Sequence, residues 1–198
     1  MTDSESEASK ESVVAIALRT GESAIHDEDI RLVDRFLLGD QTAFEVLYAR
    51  YYERVFALTR GIVLDLEETA DVVQEIFTLA YKNLHKFDKR AKFGTWLFRI
   101  AVNRSIQQTR KIKRTPKTTE LVESLVAPEA EVEDSDPRIY ESLALLQPQD
   151  RAILTMFYWE EMSLGDIAGS LGCNINAAKT RLYRARERFK EHYQEEGL

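Results

Sequence analysis

The sequence predicts an all-α protein: two small helical domains joined by an acidic linker, the second a helix-turn-helix. Three observations carry that prediction. Glycine (8) and proline (4) are scarce in 198 residues, and those residues supply most tight turns, so a strand-and-turn architecture is disfavoured. Apolar residues recur at helical spacing over two long stretches, with no internal repeat and no alternating strand pattern of useful length. Between the stretches, TPKTTELVESLVAPEAEVEDSDP holds three prolines and seven acidic residues, a composition whose charges repel it into an extended tether.

The divisions follow. Residues 1–27 form an acidic extension rich in Ser and Glu and without periodicity, read as disordered; only Val13 to Leu18 suggests a short helix. Residues 28–114 form the first domain, 115–137 the linker and 138–198 the second domain. Hydrophobic residues at 44% and charged residues at 31% suit a soluble, folded chain. The single cysteine, Cys173, excludes an intrachain disulfide and a cysteine-based zinc site. No apolar run approaches the ~20 residues that cross a bilayer. The polar, acidic start MTDSESEASKES is the opposite of a signal peptide. The expectation is a cytoplasmic protein without membrane insertion.

Charge is distributed in blocks. Residues 1–30 carry a net charge of −6, residues 31–114 of +6, residues 115–137 of −6 and residues 138–198 of −1. Two windows stand out. Residues 86–114 hold 10 basic groups against Asp88 alone, and residues 179–190 hold 6 against Glu187 alone. Concentrated positive charge inside an acidic protein is the electrostatic footprint of a polyanion-binding surface. The acidic tail and linker are expected to compete with DNA for those patches.

In the first domain, Asp65 with Glu68 three residues on has the spacing of a capping box. Val73, Ile76, Phe77, Ala80 and Leu84 then form one apolar stripe, assigned to the core. Asp71, Val72, Gln74, Glu75 and Leu79 lie outside the stripe; apolar side chains beside carboxylates and an amide suit a partner-protein surface. The next helix places Phe93, Leu97, Ile100 and Ala101 on one face. At about 100° per residue, Trp96, Arg99, Asn103 and Arg110 line up on another. Aromatic rings stack on unpaired bases at ~1–3 kcal/mol each, and cations hold the backbone. That stripe suits single-stranded nucleic acid, and the basic loop before it (Lys89, Arg90, Lys92) is placed to reach a base or phosphate.

In the second domain, an apolar helix from Pro148 is expected to bury Tyr158 and Trp159. Ser163 and Asp166 form a capping-box variant, with Ile167, Ala168 and Leu171 facing inward. Gly172 supplies the tight turn of a helix-turn-helix and Asn174 caps the second helix. The inner face of that helix is Ile175, Ala178, Leu182, Ala185 and Phe189; its outer face carries Asn176, Thr180 and Tyr183. Lys179, Arg186 and Lys190 flank one side, Arg181, Arg184 and Arg188 the other. A helix in a major groove uses small polar groups against base edges and cations against both phosphate walls.

Three segments, in order, resemble the extracytoplasmic-function class of bacterial RNA polymerase sigma factors. DVVQEIFTLAYKNLHKF is similar to the family's polymerase-binding helix and FGTWLFRIAVNRSIQQTRKIKR to its promoter-melting helix. LQPQDRAILTMFYWEEMSLGDIAGSLGCNINAAKTRLYRARERF is similar to its −35-reading domain. The resemblance implies that Asp71, Gln74, Phe77 and Leu79 match the motif docking on the polymerase, with Phe77 itself in the core. It implies that the Asp88–Lys92 loop, Trp96, Arg99 and Asn103 capture the melted −10 strand. It implies base or backbone contacts to the duplex −35 element from Lys179, Thr180, Tyr183 and Arg184, and phosphate neutralisation by Arg181, Arg186 and Arg188. Core polymerase, promoter DNA and an anti-sigma factor are the implied partners.

The alternative is a stand-alone helix-turn-helix regulator, which has no use for the Trp96–Arg99–Asn103 stripe. An enzyme is not expected. His26, His85 and His192 share no metal-ligand spacing, and the chain has no Glu-x-x-His pair, phosphate-binding glycine loop or nucleophile motif. Neither a cofactor nor a metal is expected.

Overall fold

The structure, a computed structural model, describes residues 24–114 and 137–195. Among these residues it is built of α-helices with no strand. Helix α1 spans residues 24–37 and so takes in four residues that the sequence reading assigned to the disordered extension. Val13 to Leu18 lies outside the described residues. Helix α1 is pinned by Asp29, 1% exposed. Its carboxylate accepts from Tyr51 Oη at 2.5 Å and from Arg50 Nη1 at 2.6 Å, both on α2. Burial still pushes the Asp29 pKa up, because these donors offset only part of the desolvation.

Gly39, at φ +102°, turns the chain out of α1. Asp40 Oδ1 then accepts from the Thr42 N–H at 3.1 Å at the start of α2 (Thr42–Val63). Asp65 caps α3 (Leu66–Asn83) by accepting from the Glu68 N–H at 2.8 Å, as the capping spacing predicts. The predicted α3 stripe is core throughout: Val73, Ile76, Phe77, Ala80 and Leu84 are all at most 5% exposed. Burying such side chains contributes roughly 1.5–3 kcal/mol for each large one.

A 3-10 turn (Leu84–Lys86) and the basic loop lead into α4 (Phe93–Arg114). Helix α4 packs against α2, α3 and α7 at once. Its predicted face is buried at Phe93, Leu97 and Ala101, but Phe98 and Val102, each 2% exposed, are buried as well. Further along, Ser105 and Thr109 are buried too. Their hydroxyls donate to the carbonyls of Ala101 (2.8 Å) and Ser105 (2.9 Å), so neither donor is orphaned.

The C-terminal helices are α5 (Pro137–Leu145), α6 (Pro148–Tyr158), α7 (Leu164–Leu171) and α8 (Ile175–Glu195). Ser163 Oγ accepts the Asp166 N–H at 3.1 Å, and Gly172 ends α7 at φ +62°. Asn174 Oδ1 accepts the Ala177 N–H at 2.8 Å, so both predicted caps and the predicted turn form. Ala178, Leu182 and Ala185 are buried and Phe189 half-buried. Ile175 departs from its predicted inner position at 55% exposed: as the first residue of α8 it overhangs the α7–α8 turn. Tyr158 and Trp159, expected in the core, are 53% and 48% exposed because α6 ends there, at the rim of the bundle.

The two halves are packed together, α2 on α6 and α4 on α7, with their buried residues in one continuous cluster. Arg151 of α6, 3% exposed, sits at that junction. Its Nε donates to the Ile62 carbonyl in the last turn of α2 at 2.8 Å. Its Nη1 donates to the Leu146 and Leu143 carbonyls at the end of α5, at 3.1 and 3.4 Å. Helix C-termini carry unpaired carbonyls and partial negative charge, which a guanidinium satisfies without a carboxylate. Burial pulls the Arg151 pKa down to about 10, so it stays protonated at neutral pH. Arg151→Ala strands these carbonyls and leaves a void; the expected loss is roughly 2–4 kcal/mol, read as a lower urea midpoint at unchanged slope.

Candidate nucleic-acid and protein-docking faces

The strip of α4 left open by its neighbours carries the first candidate site. Trp96 is half-buried, its ring against Phe87 (5.5 Å between centroids) and Phe93 (5.7 Å). It also lines an open groove between α3 and α4 with Leu79, Asn83, Ile100 and Asn103. The indole is therefore braced from behind by two rings while it still faces a groove, an arrangement suited to stacking. Asn103 and Arg110 are exposed. Arg99 is exposed but leans off the predicted stripe over the α7–α8 turn, where a Cβ on Gly172 would meet its Nη2 at 3.3 Å.

The basic loop is not a set of bare cations. Lys89 pairs with Asp34 of α1. Arg90 grips Asp88 two residues back at 2.6 Å, with its side chain 90% exposed. Lys92 reaches Asp166 of α7 at 3.1 Å. The Lys89 and Arg90 pairs stand in solvent, where water and salt screen them, so a phosphate can replace Asp34 or Asp88 at little cost. The Asp88 pKa is pushed down to about 2, first by the Arg90 side chain and then by its backbone N–H. Asp166 also lies low: burial opposes its ionisation, but hydrogen bonds from Ser163, Lys92 and Thr95 outweigh it.

The candidate docking face on α3 is partly as expected. Asp71, Gln74 and Glu75 are exposed and Leu79 is 39% exposed. Val72 does not belong to it. At 1% exposed, it is core, because packing against both α2 and α4 widens the buried face of α3 beyond one stripe. Glu75 is engaged by Arg104 of α4, which ties this face of α3 to the neighbouring helix.

On α8, Asn176, Lys179, Thr180 and Arg184 are exposed, Tyr183 is 63% exposed and Arg181 is half-buried. Asn176, Thr180, Arg181, Arg184 and Arg188 line one polar groove beside Asp150. The six-cation run is not wholly unpaired, as the charge pattern had suggested. Arg188 is bonded to Asp150, which is 5% exposed. Arg186 lies over the rings of Phe157 (4.9 Å) and Tyr158 (5.2 Å). Arg186 is thereby drawn toward α6, away from the phosphate role assigned to it.

One face escaped the sequence reading. An apolar groove between α5, α6 and α8 is lined by Ile139, Leu143, Leu154, Trp159, Phe189 and Tyr193. Its signal was the Tyr158–Trp159 pair at the very end of an apolar helix, where a core assignment hid a rim. Among the described residues no His, Cys, Asp or Glu group is arranged to hold a metal, and no helix is long and apolar enough to cross a membrane.

Residues 47–115 match sigma-70 region 2 and residues 137–189 match sigma-70, region 4. The RNA polymerase sigma-H factor of Pseudomonas aeruginosa is 28% identical, over 81% of this chain and 91% of that protein. The ECF RNA polymerase sigma factor SigW of Bacillus subtilis is 30% identical, over 77% of this chain and 90% of that protein. The solved structure of CnrH with the cytosolic domain of CnrY superposes with a TM-score of 0.65 at 26% identity, covering 83% of this chain and 96% of that one. Sigma factor RpoE of Bartonella quintana, solved with the anti-sigma factor NepR, gives 0.62 at 23%, covering 76% and 96%, a likeness of fold.

The Asp88–Arg90 clasp has a direct check. By NMR titration the Asp88 carboxyl should ionise near pH 2, as its depressed pKa requires. In Arg90→Ala it should return toward the ordinary carboxylate range, with the helices unaffected.

Proposed function

This chain belongs to the ECF class of RNA polymerase sigma factors, and we propose the residues by which it does that work. It directs core RNA polymerase to specific promoters and initiates transcription there. In our reading, α3 docks on the polymerase through Asp71, Gln74, Glu75 and Leu79. The groove beside Trp96 and Asn103 takes unpaired bases of the melted −10 strand, with Arg99, Arg110 and the loop cations Lys89, Arg90 and Lys92 on its backbone. Asn176, Lys179, Thr180 and Tyr183 read the duplex −35 element, and Arg181, Arg184 and Arg188 meet its phosphates.

The observation that carries this assignment is the braced indole. Phe87 and Phe93 fix its plane, so little entropy is lost when a base stacks on it. The apolar groove on α5, α6 and α8 is a second polymerase-docking face in the same reading. The region 2 match and the α3 face give a stand-alone duplex binder nothing to explain them. We assign the polymerase-binding and melting functions to the N-terminal helices through residue 114, the −35 function to residues 138–198, and a tethering role to residues 115–137. The protein acts in the cytoplasm, with an anti-sigma factor as a further partner, and contributes specificity with no catalytic chemistry of its own.

Reconstituted transcription with core polymerase tests the assignment. Promoter-dependent initiation is expected from the wild type. Trp96→Ala should retain promoter capture and lose strand opening, read by permanganate reactivity. Arg184→Ala should weaken −35 capture and lower the salt slope by about one phosphate. No initiation from any genomic template by folded protein would refute the reading.

A further inference from the structure

We propose that residues 13–18 of the N-terminal extension are a ligand for the apolar groove between α5, α6 and α8: the chain fills this groove with its own segment, and a partner that docks there must displace it. The groove is a formed receptacle. Leu143 and Leu154, 1% and 3% exposed, make its floor, and Ile139, Phe189 and Tyr193 its walls. Tyr158 and Trp159 stand at the rim, each about half exposed. An apolar surface edged by charged side chains, here Arg186, Glu187 and Lys190, marks a protein-binding patch.

Three observations choose the occupant. The first is composition. Residues 13–18 read VVAIAL, six consecutive apolar residues that nothing in the proposed function uses. The linker's nearest counterpart, LVESLV at residues 121–126, is interrupted by Glu123 and Ser124. The second is position. The extension joins the fold at α1, whose first turn places Ile25 and His26 in one cavity with Glu160 and Glu161. Those two residues directly follow Trp159 on the groove's rim. Leu18 and Ile25 are seven residues apart, a reach of at most about 25 Å, so the apolar segment leaves the fold close to the groove's mouth. The third is charge. Residues 1–12 hold Asp3, Glu5, Glu7 and Glu11 against Lys10 alone. Arg186 and Lys190 line the groove, and the rings of Phe157 and Tyr158 hold Arg186 at its rim. An acidic arm leading an apolar segment thus meets a basic lip above an apolar floor.

Tethering makes a weak contact sufficient. A short link holds the segment at roughly millimolar effective concentration, so a free-peptide Kd of about 0.1 mM fills the groove about nine-tenths of the time. A partner that needs the groove then finds about one-tenth of the molecules competent, and its apparent affinity falls about tenfold. Seating and release of the segment leave the contacts among α2, α4, α6 and α7 unchanged. Identifying the competing partner as core polymerase rests on the proposed function; the seating of residues 13–18 does not.

The test uses the full chain, methyl-labelled for NMR, with a nitroxide on Ser12→Cys in a Cys173→Ser background. The nitroxide should broaden the Ile139, Leu143 and Leu154 methyl signals of the groove. Val14→Asp with Ile16→Asp should abolish that broadening, the rest of the methyl spectrum serving as the check on folding. A peptide of residues 9–20, added to this double variant, should shift the same groove signals. Trp159→Ala should weaken the broadening from the groove's side. Unbroadened groove signals overturn the proposal. So does broadening that survives Val14→Asp with Ile16→Asp, which gives the groove to another occupant such as the linker. Broadening that arises only between spin-labelled and isotope-labelled chains in a mixture gives it to a second copy and overturns the proposal too. Core polymerase should bind the double variant about tenfold more tightly than the wild type; equal affinities overturn the competition. Failure of polymerase to bind either protein would sink the sigma-factor assignment, leaving the NMR arms to decide the seating.

Discussion

Helix α4 is the constraint on which the rest depends. It must fill the core between α2 and α3, lie against α7, and still present a surface to a ligand. Burial on several sides leaves only a narrow strip, and that strip holds Trp96, Asn103 and Arg110. A helix so confined cannot adjust its rotation, so the indole is aimed by the same packing that stabilises the domain. Precision at the groove is a by-product of core geometry, with no dedicated scaffold.

The cations divide by what they touch. Arg151 is wholly internal and serves helix C-termini. Arg104 and Arg188 hold carboxylates on neighbouring helices. Lys89 and Arg90 hold exposed carboxylates that surrender them cheaply. Lys92 stands between these classes, because releasing Asp166 also loosens one half of the molecule from the other. An anion arriving at Lys92 therefore competes with an ion pair that joins α4 to α7. Charge counting treats all of these side chains as equivalent; burial and partner decide which are available.

Much of this was legible in the sequence. The α3 stripe, the Asp65, Ser163 and Asn174 caps and the Gly172 turn depend on local spacing, and each appears where spacing places it. The failures share a cause in tertiary packing. Val72 is buried because a second helix covers α3; Tyr158 and Trp159 surface because α6 stops at a rim; Arg186 leaves its flank for two rings. The contact between halves left its trace only as two helix-interior glycines, Gly61 and Gly169, whose partners Thr155 and Thr95 lie 94 and 74 residues away in sequence. No periodicity reports such a pairing. Trp96, expected on the face of α4 away from its core stripe, is half-buried: Phe87 and Phe93 brace one side of the ring and the other faces the groove.

The central claim is that this indole holds unpaired promoter bases. Photocrosslinking from benzoylphenylalanine in place of Trp96, in the open complex with core polymerase, tests it most directly. The account predicts crosslinks to the single-stranded −10 bases that appear only when the strands separate. Crosslinks confined to protein, or equal yields on closed duplex, would contradict it.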